Sequence, residues 1–287
     1  MKTLILGAVA YDPKVVRIWE GFKQHFADHG LPFDFVLYSN YERLVEDHLD
    51  GVVDVAWNSP LAWIEAERAA RSRGRTARAI AMRDTDRDLT SVVVVRAGAT
   101  MRTLKDLKGK TVAVGAADSP QATLIPLLLL ADAGLRPGRD FEIRRHDILV
   151  GKHGDHIGGE REAARDLVAG RVDAACMIDG NHLLFSQEGT LPGGSTRILE
   201  TTDVYDHCNM TILGDASSPQ IERFRELLLG MSYEDPAVRP LLDMEGLRRW
   251  MPGRTEGYAQ LGRAVDRFGY LDGWLAAQPQ GTWRHAR

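Results

Sequence analysis

Cysteine is scarce in this chain of 287 residues: Cys176 and Cys208 are the only two. Two thiols cannot build the disulfide framework of a small secreted scaffold, so the fold has to rest on a hydrophobic core. Long apolar runs are lacking too. The longest, Leu124 to Ala131, contains Pro126 and falls well short of the ~18 residues of a membrane helix. No excess of one charge exists, with 36 Lys+Arg against 40 Asp+Glu and a net charge of -4. Neither nucleic acid nor an anionic membrane surface is therefore expected as a partner. No G-x-S-x-G elbow, P-loop or G-x-G-x-x-G follows a strand-like run, so hydrolase, nucleotide and dinucleotide motifs are missing. Fixed-period repeats and low-complexity linkers are absent as well.

What remains is a globular composition, 44% hydrophobic and 26% charged. A chain of this length buries ~75% of its unfolded surface and suggests two domains or lobes. Met1-Lys2-Thr3 runs into Leu4–Ala10, which reads as a buried first strand and not as an export signal. The chain as written is expected to be cytoplasmic, or periplasmic if a signal has been removed.

Short apolar strands alternate with amphipathic helices. Strands are expected over 3–10, 33–38, 52–57, 79–82, 91–96, 111–115, 141–146, 172–178 and 196–199. Helices are expected over 14–29, 41–49, 60–73, 120–133, 160–169, 181–187, 218–230, 236–245 and 256–266. The pattern predicts an α/β fold with largely parallel sheets. Thr90–Arg96 and Thr201–Leu213 read as crossings between lobes. The first lobe would comprise 1–96 and 206–287, and the second 97–205.

Candidate chemistry sits at strand ends. Asp54–Trp63 reads as strand, polar tip and helix, with Asn58 or Ser59 capping the helix that Pro60 opens. In the second lobe Val112–Gly115 leads to Ser119, a cap on an apolar helix whose start suits an anion. Asp118 beside it competes with such an anion or fills the seat itself. Residues 151–160 place His153, Asp155, His156 and Glu160 on a glycine-rich loop. His182 follows the strand tip at Asp179, and His207 and Cys208 lie on the return crossing just before Asn209. A His-x-x-His with Asp, Cys or Glu suits zinc or iron, but the helical His-Glu-x-x-His arrangement is missing; no metal or cofactor is expected. Cys176, inside an apolar run, reads as a core thiol.

The layout resembles the phosphonate-type (PhnD-like) substrate-binding proteins of ABC transporters over nearly the whole chain. The resemblance rests on Tyr11, on Gly51–Ala62 with its Asn58-Ser59-Pro60, on Leu104–Thr111, on Leu124-Ile125-Pro126 and on Gly170–Ala174. It implies a two-lobed type II periplasmic-binding-protein fold that holds a small polar or anionic ligand in an interlobe cleft, with an ABC permease as partner if the chain is exported. By position, Tyr11, Asn58 and Ser59 would line the first lobe. Ser119, Gln121 and Ala122 would form the helix-start seat, with Asp179 and His153 or His156 nearby; His182 and Asn209 complete the ligand-binding candidates. The alternative reading is an enzyme on the same fold, a lyase, decarboxylase or hydrolase acting on a small carboxylated or aromatic substrate. Its catalytic candidates are His153, His156 and Cys208.

Overall fold

A computed structural model describes residues 2–154, 157–214 and 218–277. The chain divides into two compact units, 1–87 with 206–258 and 271–287, and 88–205 with 259–270. The sequence-based division assigned 88–96 and 259–270 to the first lobe. Both segments fall in the second unit, the former as its most buried strand and the latter as a covering helix.

The first unit opens with β1 (Leu4–Val9), α1 (Lys14–Asp28), β2 (Phe33–Tyr38), α2 (Tyr41–Leu49), β3 (Val55–Asn58), α3 (Pro60–Ser72) and β4 (Ala77–Arg83). The chain then enters the second unit, which holds β5 (Ser91–Arg96), β6 (Thr111–Val114), α4 (Ile125–Asp132), β7 (Glu142–Arg145), α5 (Glu160–Val168), β8 (Ala174–Ile178), α6 (Asp179–Gln187) and β9 (Thr196–Thr201). Back in the first unit follow β10 (Asn209–Leu213), α7 (Pro219–Leu229), α8 (Arg239–Glu245) and β11 (Trp250–Pro252). Last come α9 (Ala259–Phe268), in the second unit, and α10 (Asp272–Ala277), in the first.

The sheets are mixed and not largely parallel. The first has the order β11-β4-β10-β3-β1-β2 and the second β7-β6-β8-β5-β9. Strands joined by helical crossovers run parallel: β1 beside β2 and β3, and β6 beside β7 and β8. The strand entering the second unit, β5, and the strand re-entering the first, β10, have no such crossover to their neighbours and pair antiparallel.

Each sheet is covered on both faces. In the first unit α1, α7 and α8 bury an aromatic cluster of Trp19, Phe22, Phe26, Phe33, Phe224 and Trp250. The opposite face takes Tyr41, Leu44, Ala62 and Ala66 from α2 and α3. In β5 alternate side chains point to opposite faces, so Val93 and Val95 enter one core while Val92 and Val94 enter the other. That double burial explains why its sequence is an unbroken valine run. The expected helix over 120–133 divides into a π-helical turn, Pro120–Leu124, followed by α4.

Candidate functional site

In the second unit, β6 and β8 end at the sheet edge where β5 begins, since Ser91 pairs with Ile178. Backbone groups leaving that edge have no ladder partner, and polar side chains gather there to supply one. Ser91 is fully buried; its Oγ donates to the Gln121 carbonyl at 2.6 Å and accepts from the Tyr205 hydroxyl at 2.8 Å. Thr202 Oγ1 accepts from the Ser91 amide at 2.9 Å. Burial lifts the Tyr205 hydroxyl well above the ordinary phenol range, with the charges of Glu160 and Asp179 adding to it, so Tyr205 remains a donor. Glu160 is also buried; its Oε2 accepts from the Ile178 amide at 3.1 Å and from Asn181 Nδ2 at 2.8 Å. Burial, reinforced by the Glu160 charge, pushes the Cys176 thiol up to about 12 and leaves it an inert core group.

Ser119 caps the π-helical turn by accepting from the Ala122 amide at 3.1 Å. Thr123 Oγ1 donates to the Ala116 carbonyl at 2.8 Å. The glycine-rich loop is tied onto this turn. Asp118 Oδ2 accepts from the amides of Gly151, at 2.5 Å, and His153, at 3.2 Å, while Gln121 Nε2 donates to the Gly154 carbonyl at 2.7 Å. Gly154 has φ +74°, and a Cβ there would overlap Ser119 Oγ and lie 2.7 Å from Ser119 Cβ. Only glycine allows so close an approach. Asp118 Oδ1 and Gln121 Oε1 are buried without a hydrogen-bond partner. Removing the cap with Ser119→Ala is expected to cost about 1 kcal/mol in a urea titration, and an unchanged midpoint would show the cap to be dispensable.

The first unit carries a second buried polar chain. Asn58 Nδ2 donates to Thr211 Oγ1 at 2.9 Å, Thr211 Oγ1 donates to Asn209 Oδ1 at 2.7 Å, and Asn209 Nδ2 donates to the Tyr258 hydroxyl at 2.9 Å. Tyr258 in turn donates to the His207 carbonyl at 2.8 Å. The pairing of Asn209 with Asn58 across β10 and β3 sets this chain at one sheet edge. Asn58 Oδ1 is buried without a partner. Ser59 caps α3 through the Ala62 amide at 3.1 Å.

Beside it Arg83 makes a two-pronged pair with Asp86, at 2.6 Å from Nε and 2.8 Å from Nη2. Arg83 also donates to the Glu245 carbonyl at 2.9 Å, and its guanidinium lies 5.2 Å from the centre of the Trp57 ring. Burial by itself would raise the Asp86 carboxyl. The Arg83 charge and hydrogen bonds, joined by His207, outweigh it and hold Asp86 at about 2. His207 Nδ1 is 3.1 Å from Cys208 Sγ and 3.5 Å from Asp86 Oδ1.

Several expected site residues are brought together in these sets: Asn58 with Asn209 in the first unit, and Ser119, Gln121 and His153 in the second. Tyr11 is half-buried, with Lys14 Nζ 6.0 Å from its ring centre. Asp179 is exposed at the start of α6, and burial lowers the half-buried His182 below the ordinary histidine range, against the opposing charge of Asp179. His156 lies outside the described residues. Of the other catalytic candidates, His153 belongs to the second unit and Cys208 to the first. Cys208 and Asp86 both face the same nitrogen of His207, which does not make a nucleophile–base–orienter relay. Ser91, Tyr205 and Arg83 were missed by sequence reasoning and have no local motif.

A family model for the periplasmic phosphonate substrate-binding proteins of ABC transporters matches residues 8–258. The chain belongs to that family. The match supports the binding reading and not the enzymatic one. The fold is that of the type II periplasmic binding proteins. A similar solved structure is PhnD1 from Prochlorococcus marinus (MIT 9301) in complex with methylphosphonate, 18% identical, covering 93% of this chain and 98% of that one with a TM-score of 0.68. XAC2383 from Xanthomonas citri bound to chloride ion is also 18% identical, covering 93% and 99% with a TM-score of 0.70. The putative periplasmic sulfonate-binding protein SsuA from Methylobacillus flagellatus KT is 17% identical, covering 97% and 89% with a TM-score of 0.61. No described helix is long and apolar enough to cross a membrane.

Proposed function

We propose that this chain is the periplasmic ligand-capturing component of an ABC importer for a small organic oxyanion of the phosphonate, sulfonate or phosphate-ester class, delivered to a membrane permease. The family match supports the role, and the gathering of buried polar groups at one end of each sheet supports the kind of ligand. The observation that narrows the class is the set of unmatched buried acceptors, Asp118 Oδ1, Gln121 Oε1 and Asn58 Oδ1. An acceptor kept from water without a donor is costly, so a ligand bearing N–H or O–H groups suits them. The Asp118 carboxylate, next to Ser119, repels a dianion. A singly charged or zwitterionic oxyanion satisfies both conditions, with Asn58, Ser59, Asn209 and Tyr11 as contact candidates in the first unit and Ser119, Gln121, Asp179 and His182 in the second.

The test is calorimetric titration with methylphosphonate, 2-aminoethylphosphonate, ethanesulfonate, glycerol phosphate and inorganic phosphate. One-site binding is expected, with a donor-bearing ligand at least ~10-fold tighter than methylphosphonate, about 1.4 kcal/mol. The bound ligand should be recovered chemically unchanged after long incubation. Binding of none of the five, or conversion of any, would overturn the reading.

A further inference from the structure

We propose that Asp86, His207 and Cys208 form a binding site for a thiophilic divalent cation, zinc(II) above all, in the first unit. It is independent of the oxyanion reading. Among the described residues these three are the one group of His, Cys, Asp or Glu whose potential ligand atoms all lie within 4.8 Å of one another. Asp86 and Cys208 are buried, and the His207 side chain keeps 12% of its surface exposed, which gives a way in.

The spacing suits tetrahedral zinc. Bonds of about 2.3 Å to sulfur and about 2.0–2.2 Å to nitrogen and oxygen put neighbouring N and S donors about 3.6 Å apart, and N and O about 3.4 Å apart. The observed separations are 3.1 Å between His207 Nδ1 and Cys208 Sγ, and 3.5 Å between His207 Nδ1 and Asp86 Oδ1. These two separations lie within about half an ångström of the tetrahedral values, and the carboxylate oxygen and the sulfur are within 4.8 Å of each other. The donor set of one imidazole, one thiol and one carboxylate is a zinc set, with a fourth position left for water.

Charge points the same way. On coordination the Cys208 thiol becomes a thiolate and its proton leaves to solvent, so a divalent cation meets a thiolate and a carboxylate in one donor set. Arg83 donates one hydrogen bond to each Asp86 oxygen, so a lone pair on Oδ1 remains for the metal, and the guanidinium fixes the carboxylate's orientation as an outer partner does in metal sites. His207 is positioned independently of the metal, since its amide donates to the Asp86 carbonyl at 2.7 Å and its carbonyl accepts from Tyr258.

The experiment uses untagged full-length protein, stripped with chelator and titrated with zinc(II) against a chromophoric indicator. One equivalent is expected for the wild type, with affinity reduced at least 10-fold by Cys208→Ser and by His207→Gln. Cobalt(II) in place of zinc should give a near-ultraviolet sulfur-to-metal band that Cys208→Ser abolishes. In the wild type alone, zinc should slow alkylation of Cys208, a readout that stands even where a variant fails to fold. No bound equivalent, binding unaltered in both variants, or no protection of the thiol would overturn the proposal.

Discussion

Replacing Arg83 with leucine is expected to lower the stability of the protein by about 3 kcal/mol. The change leaves Asp86, with a side chain 2% exposed, and Glu245, at 4%, without their shared cation. A buried charge deprived of its partner costs about 3–5 kcal/mol; the lower end applies because the Arg83 side chain is itself 19% exposed. The cation–π contact with Trp57 is lost as well. Adding Asp86→Asn to Arg83→Leu should recover part of the loss, because the amide can be desolvated more cheaply than the carboxylate. Urea unfolding in the presence of chelator measures both variants and their coupling. A single variant within 1 kcal/mol of wild type would mean that the pair contributes little.

Gly159→Ala is expected to cost about 3 kcal/mol. Gly159 has φ +83° and lies immediately before α5; a Cβ there would overlap the His146 carbonyl oxygen and stand 2.9 Å from the His146 Cβ. Left-handed backbone strain accounts for about 1–2 kcal/mol of the loss. The rest comes from displacing a main-chain carbonyl, which cannot swing aside as a flexible side chain can. Gly170→Ala is the control: φ is +73° but nothing lies within 4 Å, so strain alone remains. Equal losses in the two variants would remove the steric contribution.

Much of the fold was legible because each element carries its own period. The valine run of β5 and the Ser-Pro openings at Ser59 and Ser119 are local signals. Strand direction is not local. Hydrophobic alternation has no sign, so the reversal of β5 and β10 was hidden, as was the three-residue β11 ending in Pro252. An amphipathic helix reads the same whichever sheet it covers, which is why α9 was assigned to the wrong neighbours. The candidate site was half visible. Caps and strand tips point to Asn58, Ser59, Ser119 and Gln121, but the contacts of Ser91 with Tyr205 and of Arg83 with Glu245 span 114 and 162 residues. No window of sequence shows such pairs. In the 151–160 stretch the imidazoles and carboxylates catch the eye, whereas the close backbone approach of Gly151 and Gly154 to Asp118, Ser119 and Gln121 has no local sign.

The placement of α9 bears on how the chain can fold as it is delivered from its amino end. Tyr258 and Leu271, on either side of it, belong to the first unit, while α9 lies on α4 of the second and sets Phe268 against that unit's core. Until about residue 270 has emerged the second unit lacks this cover, and α10, which brings Trp274 and Leu275 to the first unit's core, comes later still. Both units thus receive their last described helix from residues 259–277. A chain emerging from its amino end is kept short of either finished core until α9 and α10 have emerged, and among the described residues neither unit is one contiguous stretch.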